Sequence, residues 1–141
     1  MRELTRDEWR AFVSEGTRTG KLATASPTGA VHVAPVWFVV TAEALVFTTY
    51  QDTVKARHLT ANPRAALTAD EERFPYGFVL VRGAVEIDRT APDLGDWTHR
   101  LAARYVPVER AEEYGRRNAV EGEWLCRLRL DKVIGRAALA D

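Results

Sequence analysis

Short segments of β-branched and aromatic residues alternate with turn sequences along most of this chain, and that alternation limits what it can fold into. The sequence Ser26-Pro27-Thr28-Gly29 is strong turn chemistry, because proline fixes one φ angle and glycine adopts a positive φ without steric cost. Segments rich in Val, Thr and aromatic residues between such turns predict strands. We expect six strands, over residues 21–26, 31–40, 44–50, 64–69, 78–87 and 124–134.

Two strands carry more specific expectations. The segment 31–40 is apolar on both faces, so we expect it to be buried on both sides. The connections on either side of it are short, which favours an antiparallel meander of the first three strands. Gly83 lies inside the fifth strand, where a glycine often marks a bulge or a sharp bend.

Four segments predict helices. Thr5 and Glu8 have the spacing of a capping box, which indicates a first helix over 5–15. Asp52 is the candidate N-cap of a short helix through Leu59. Two more helices are expected over 92–105 and 108–117. Hairpin-ordered strands with peripheral helices favour a mainly β, closed or split barrel, although periodicity alone does not separate it from an open α+β sheet.

Composition narrows the class of protein. A chain of 141 residues suits a single domain over 1–141. Twenty basic and twenty acidic side chains cancel, which argues against a nucleic-acid partner. No apolar run is long enough for a membrane span, and the N-terminus lacks the apolar core of a signal peptide, so we expect a cytoplasmic protein. Cys126 is the single cysteine and is best explained as a small buried residue.

No catalytic or metal site is visible in the sequence. The three histidines, His32, His58 and His99, share no motif with a nucleophile or a carboxylate. Glycine-rich phosphate loops and metal-spaced Cys/His clusters are absent. We therefore assign no catalytic side chain and no metal ligand.

The segment 46–67 is the best candidate for binding. A strand ends in hydroxyl groups and leads into a predicted helix whose first turn carries Thr53 and Lys55, with Arg57 next. Free N–H groups at a helix start, hydroxyl donors and a cation together form an anion site. The alternative, equally compatible with the sequence, is that Asp52 caps the helix while Lys55 and Arg57 are solvated.

Four separated segments resemble one family in both order and spacing. They are Val33-Ala34-Pro35-Val36-Trp37-Phe38, Lys55 to Leu59, Asn62-Pro63-Arg64 and Val81-Arg82-Gly83-Ala84-Val85-Glu86. Together they resemble the pyridoxamine-phosphate-oxidase-like split-barrel family. Within it, the chain looks most similar to the actinobacterial deazaflavin-dependent oxidoreductases, and the ending from Lys132 to Ala137 extends the resemblance over about the whole chain.

The resemblance implies a six-stranded antiparallel split β-barrel of the FMN-binding type. It also implies a homodimer with two equivalent cofactor sites at the subunit interface. In each site, Lys55 and the hydroxyls of Thr48, Thr49 and Thr53 would hold the cofactor phosphate.

The resemblance also implies contacts to the cofactor ring. The backbone around Val36, Trp37 and Phe38 would border the tricyclic ring, although Trp37 is explained as readily by core packing. The loop around Tyr76 would complete the site of the other protomer.

Two departures from the family pattern bear on activity. Val54 stands where pyridoxamine-phosphate oxidases carry an arginine, and the ending Arg136-Ala137-Ala138-Leu139-Ala140-Asp141 lacks their arginine-containing substrate motif. Both argue against oxidation of vitamin B6. The resemblance then implies an oxidoreductase that uses reduced deazaflavin coenzyme F-420 to transfer a hydride to an electron-poor conjugated small molecule, such as a tetrapyrrole, a quinone or an unsaturated lactone.

Two alternatives stay open. One is an FMN-dependent oxidoreductase of the same fold. The other is a non-catalytic protein that binds a cofactor or a tetrapyrrole.

Overall fold

Nine strands, four α-helices and one 3₁₀ turn make up the protein, whose residues 1–141 are all described by a computed structural model. The strands are β1 (Arg2–Glu3), β2 (Gly20–Ala25), β3 (Val31–Val36), β4 (Val39–Val40), β5 (Ala44–Tyr50), β6 (Arg64–Glu71), β7 (Gly77–Asp88), β8 (Glu123–Arg129) and β9 (Lys132–Ala137). The helices are α1 (Arg6–Ser14), α2 (Val54–Ala61), α3 (Leu94–Tyr105) and α4 (Ala111–Asn118), with the 3₁₀ turn at Val108–Arg110. None of the helices is long and apolar enough to cross a membrane.

The long strand β7 joins the two halves of a split antiparallel barrel. The strand order is β3-β2-β6-β7-β8-β5-β4, and β9 pairs with β7 and with β1. On one side, β7 pairs first with β9 and then, from Val85 onward, with β8. Gly83 lies directly before this change of partner, and a Cβ there would collide with the carbonyl oxygen of Arg129. The split barrel is therefore confirmed, and Gly83 is the position at which β7 changes partner, while its pairing with β6 continues without a bulge.

Nine strands are present instead of six because two predicted strands are each divided in two and because the short β1 was not predicted. The predicted strand 124–134 is two strands, because the chain turns at Leu130 and Asp131 before β9 begins. The predicted strand 31–40 is likewise divided into β3 and β4. Both hairpins of the predicted meander form, β2 with β3 and β4 with β5, but the interruption of 31–40 places them at opposite ends of the sheet.

The outer face of β3 is exposed, contrary to the expectation that both faces of 31–40 are buried. Val31 is 82% exposed and Val33 is 65% exposed, so 31–40 is not buried on both sides in the protomer. The reason is that β3 is an edge strand without a second layer over its outer face. Val33 lies in register with Ala23 of β2, and Ala23 with Ala66 of β6, which makes a short strip of small and apolar side chains that ends at the exposed Arg82 of β7.

The helices follow the sequence signals closely at their starts. Thr5 and Glu8 form the predicted capping box of α1. The segment expected to be helical over 108–117 begins as the 3₁₀ turn and continues as α4. Side chains of α1, α2 and the barrel strands form one buried cluster that includes Val13, Leu59 and Phe47, and α3 covers a smaller one with Leu101.

Candidate functional site

The candidate site is built at the start of α2, where β5 ends. Thr53, and not Asp52 as predicted, is the N-cap. Its backbone is extended, and its hydroxyl accepts a hydrogen bond from the N–H of Ala56 at 3.2 Å. Asp52 is exposed, and its carbonyl oxygen accepts from the Arg57 guanidinium at 2.9 Å. Both residues are good N-caps, and the tertiary path of the turn decides between them.

The first turn of α2 offers free backbone donors. The N–H groups of Ala56 and Arg57 are bonded to Thr53, whereas those of Val54 and Lys55 have no acceptor within the chain. Such donors point along the helix axis at its positive end. The Lys55 side chain rises from the same turn and is partly buried. The local arrangement is therefore that of an anion site.

The three predicted threonines divide into two groups. Thr48 and Thr49 are adjacent on β5, so their side chains lie on opposite faces of the strand. Thr49 is buried, and its hydroxyl lies 2.9 Å from that of Thr53, which donates to the carbonyl oxygen of Tyr50 at 2.9 Å. The hydroxyls of Thr49 and Thr53 thus hold the turn between β5 and α2, while Thr48 faces the other side.

Glu123 is a site residue that the sequence reasoning missed. It opens β8 directly opposite Tyr50 of β5 and shares that face with Thr48. Burial raises the pKa of this carboxyl, while interaction with the Thr48 hydroxyl and the charge of Lys55 lower it. The predicted strand began one residue later, at Trp124, and only the pairing of β5 with β8 brings this carboxylate to the predicted anion-binding residues.

Arg89 adds a second cation near this end of β8. Its guanidinium lies 4.3 Å from the centroid of the Trp124 ring and donates to the Thr60 hydroxyl at 3.1 Å. The charges of Arg89 and Lys55 both lower the pKa of the Cys126 thiol, so the two cations lie near the same part of β8. No sequence motif marked Arg89, because it follows β7 and reaches α2 only through the fold.

Cys126 itself is buried inside the barrel, as expected. Burial, and then the charge of Glu123, raise the pKa of its thiol to about 12. The thiolate is the reactive form, so we expect the native thiol to be inert. A disulfide reagent at pH 8 should label no thiol in the folded protein and one thiol per chain in denaturant. Rapid labelling of the native protein would contradict the buried position.

The segment 36–38 is fixed from the side of α3. The Trp37 ring stacks on Tyr105 with centroids 5.2 Å apart and 6° between the planes. The N–H of Phe38 donates to the Tyr105 hydroxyl at 3.2 Å, and the Phe38 carbonyl oxygen accepts from Arg104 at 2.6 Å. Val36 and Phe38 have buried side chains. Trp37 therefore packs against α3 in the protomer, and its contact with a cofactor ring stays a prediction.

Tyr76 lies far from α2 within one protomer. It is in the β6–β7 loop with a φ of 69°, and it is 45% exposed beside the exposed Phe74, with ring centroids 5.9 Å apart. β6 starts just after α2 and runs for eight residues to this loop, about 26 Å at the usual strand rise. Tyr76 and Lys55 can meet only if the loop belongs to a second copy of the chain.

Known structures share this fold. The conserved hypothetical protein Rv2991 from Mycobacterium tuberculosis is 20% identical, with a TM-score of 0.79 over 96% of this chain and 86% of that one. An F-420 reductase is 27% identical, with a TM-score of 0.69 over 87% of this chain and 94% of that one. The FAD binding protein from Mycobacterium smegmatis is 21% identical, with a TM-score of 0.65 over 96% and 98%.

Sequence comparison agrees with the structural likeness. No curated protein sequence matches the chain significantly. The family model described as pyridoxamine 5'-phosphate oxidase matches residues 5–123, which include α1, α2 and the strands β2 to β7. The resemblance seen in four short segments is thus confirmed over most of the chain, and the protein belongs to the pyridoxamine 5'-phosphate oxidase family.

Proposed function

We propose that this protein is an oxidoreductase that uses reduced deazaflavin coenzyme F-420 to transfer a hydride to an electron-poor conjugated small molecule. The observation that carries the proposal is the free-amide end of α2 beside Lys55, in a chain 27% identical to an F-420 reductase. An FAD binding protein and an F-420 reductase share the fold, which supports a flavin-type cofactor in general. The choice of deazaflavin among them is the finer part of the proposal.

The residues at the start of α2 fit the phosphate of such a cofactor. The free N–H groups of Val54 and Lys55 can donate hydrogen bonds to an anion without breaking any hydrogen bond of the helix. The Lys55 ammonium supplies a positive charge within the same turn. The hydroxyls of Thr49 and Thr53 already bond to each other, so they support the turn and contribute to the anion indirectly.

When bound, the deazaflavin supplies the hydride from its reduced ring, and the protein supplies position and electrostatics. Lys55 and the two free amides would hold the phosphate at α2. The segment from Val36 to Phe38 borders the ring, and it is rigid because Arg104 and Tyr105 bind its backbone. We assign no catalytic side chain, so the proton that completes the reduction would come from water.

The active unit of this proposal is a homodimer. The strip formed by Val31, Val33, Ala23 and Ala66 is apolar and has no second layer over it in the protomer, which suits contact with a second copy. An obligate interface of this kind buries about 2,000 Å² or more. The second copy then brings its own Tyr76 loop toward the cofactor held at α2.

Cofactor choice provides the first test. Val54 stands where the family's phosphate site has an arginine, so the site has one positive charge fewer. A doubly charged phosphate monoester therefore loses more binding free energy than the singly charged phosphodiester of the deazaflavin. In titrations followed by fluorescence quenching, we expect deazaflavin to bind more tightly than FMN. Reduced deazaflavin should then reduce members of an acceptor panel.

Each other outcome has a meaning. Tighter binding of FMN, with FMN retained through purification, would replace the proposal by the FMN-dependent alternative. Binding of deazaflavin without turnover on any acceptor would favour a non-catalytic carrier. A protein that binds neither cofactor would reject the proposal.

A further inference from the structure

A carboxylate lies among the groups that bind the anion in the proposed function. In the pairing of β5 with β8, Tyr50 lies opposite Glu123 and Thr48 lies opposite Leu125, so Thr48 and Glu123 share one face of the sheet. Interaction with the Thr48 hydroxyl and the charge of Lys55 both lower the pKa of the Glu123 carboxyl. A negative charge beside a proposed phosphate site needs an explanation, because it opposes the binding of any anion.

The position of Glu123 is fixed by the turn that precedes it. Gly122 has a φ of 91°, and its carbonyl oxygen accepts the N–H of Gln51 at 2.9 Å. A Cβ at Gly122 would lie 2.9 Å from the Tyr50 ring and 3.0 Å from Gln51. The turn is therefore tightly packed against the end of β5, and Glu123 is held where β5 passes into α2.

The charges around Glu123 come from several elements. The charge of Lys55, on α2, lowers the pKa of Glu123. The pKa of the nearby Cys126 thiol is raised by Glu123 and lowered by Lys55 and by Arg89, which follows β7. The raised pKa of Cys126 keeps that thiol protonated between pH 5 and 8. Tyr50 lies opposite on β5. His58, also on α2, is directed to the Thr24 hydroxyl of β2, with Nδ1 and Oγ1 3.0 Å apart.

We propose that the Glu123 carboxylate is the specificity-determining group that sets how much negative charge the α2 site accepts, favouring a phosphodiester over a phosphate monoester. This inference rests on the proposed function. The charges of Glu123 and Lys55 interact without a direct ion pair, so the carboxylate would offset part of the positive charge that Lys55 offers to a phosphate. A singly charged diester tolerates that arrangement better than a doubly charged monoester, since repulsion grows with the product of the charges.

The test compares Glu123→Gln with the wild type for two ligands, FMN and the deazaflavin cofactor. Loss of one charge at several ångströms in a partly solvated site should tighten FMN binding about tenfold and diester binding about threefold. The preference for deazaflavin over FMN should therefore fall about threefold. Glu123→Asp keeps the charge and should keep the wild-type preference. Glu109→Gln, which removes the same charge from the exposed 3₁₀ turn, should change neither affinity.

A pH series separates charge from shape. The phosphodiester does not titrate between pH 5 and 8, whereas a phosphate monoester does, near pH 6. Deazaflavin should bind the wild type more tightly as pH falls, because protonation of Glu123 removes the negative charge that opposes the phosphate. The Glu123→Gln profile should be flatter, and the difference between the two profiles removes any contribution from the histidines.

The cofactor-free protein gives an independent readout. Because the pKa of Glu123 is raised on folding, its ionised form costs stability. This cost is absent below the ordinary glutamate range, grows as pH rises toward the raised pKa and is constant above it. Glu123→Gln should thus melt at a higher temperature than the wild type at pH 8 but not at pH 4.

The outcomes distinguish this inference from the function on which it rests. An unchanged ligand preference in Glu123→Gln, while the wild type still binds deazaflavin, overturns the role of Glu123 alone. An equal change in Glu123→Asp would assign the effect to side-chain shape and would also overturn it. If the wild type binds neither ligand at any pH, the proposed function itself fails.

Discussion

Replacing Lys55 by alanine is expected to weaken cofactor binding by roughly 10- to 100-fold, because a charge-assisted hydrogen bond contributes about 1.5–3 kcal/mol and each 1.4 kcal/mol is about tenfold in affinity. Lys55 rises from the first turn of α2, beside the free amides of Val54 and Lys55 itself. The loss should appear as a raised dissociation constant in a fluorescence titration with deazaflavin. The melting temperature should change little, because alanine is a good helix former.

Arg57→Ala is the matched control. Arg57 belongs to the same helix, carries the same charge and is exposed, but its guanidinium bonds back to the carbonyl oxygen of Asp52. Because Arg57 is two residues after Lys55, its side chain lies on a different face of the helix. It should cost less affinity than Lys55→Ala. Wild-type affinity in Lys55→Ala with an unchanged melting temperature would make Lys55 an ordinary solvated residue and reject the site.

Val33→Glu is expected to convert a dimer into a monomer. The protein should sediment at about twice its chain mass of 15.8 kDa, and the variant at 15.8 kDa. A twofold interface would bury the new carboxylate in both copies, at about 2 kcal/mol or more each, which weakens association about 1000-fold. Cofactor binding should fall with dimerisation if the Tyr76 loop of the second copy completes the site.

Val108→Glu is the control for this change. Val108 is 85% exposed in the 3₁₀ turn, away from the sheet face, so the same substitution there should leave the dimer intact. Val33 is itself 65% exposed in the protomer, and therefore the monomeric variant should remain folded. A wild-type protein that sediments as a monomer at micromolar concentration would reject both the dimer and the shared site.

Parts of the site were predictable because they depend on neighbouring residues. The spacing of Thr5 and Glu8 indicated the start of α1, and the polar residues before Lys55 indicated the start of α2. The choice of Thr53 over Asp52 as N-cap was not predictable, since both are strong capping residues and the backbone of the β5–α2 turn selects one. Glu123 was unpredictable for a stronger reason, because its place depends on the register of two strands more than seventy residues apart in sequence.

The amino-acid sequence by itself determined the positions of most strands and helices and the family to which the chain belongs. These follow from periodicity, turn residues and capping, which act over a few residues, and from motif order along the chain. The tertiary structure decided which strands pair, which face of β3 stays uncovered, and that Glu123 and Arg89 join Lys55. Those features come from contacts between distant segments, which local patterns do not specify. The alternation of β5 shows both effects, since adjacency in the sequence suggested that Thr48 and Thr49 act together, whereas the pleat directs them to opposite faces.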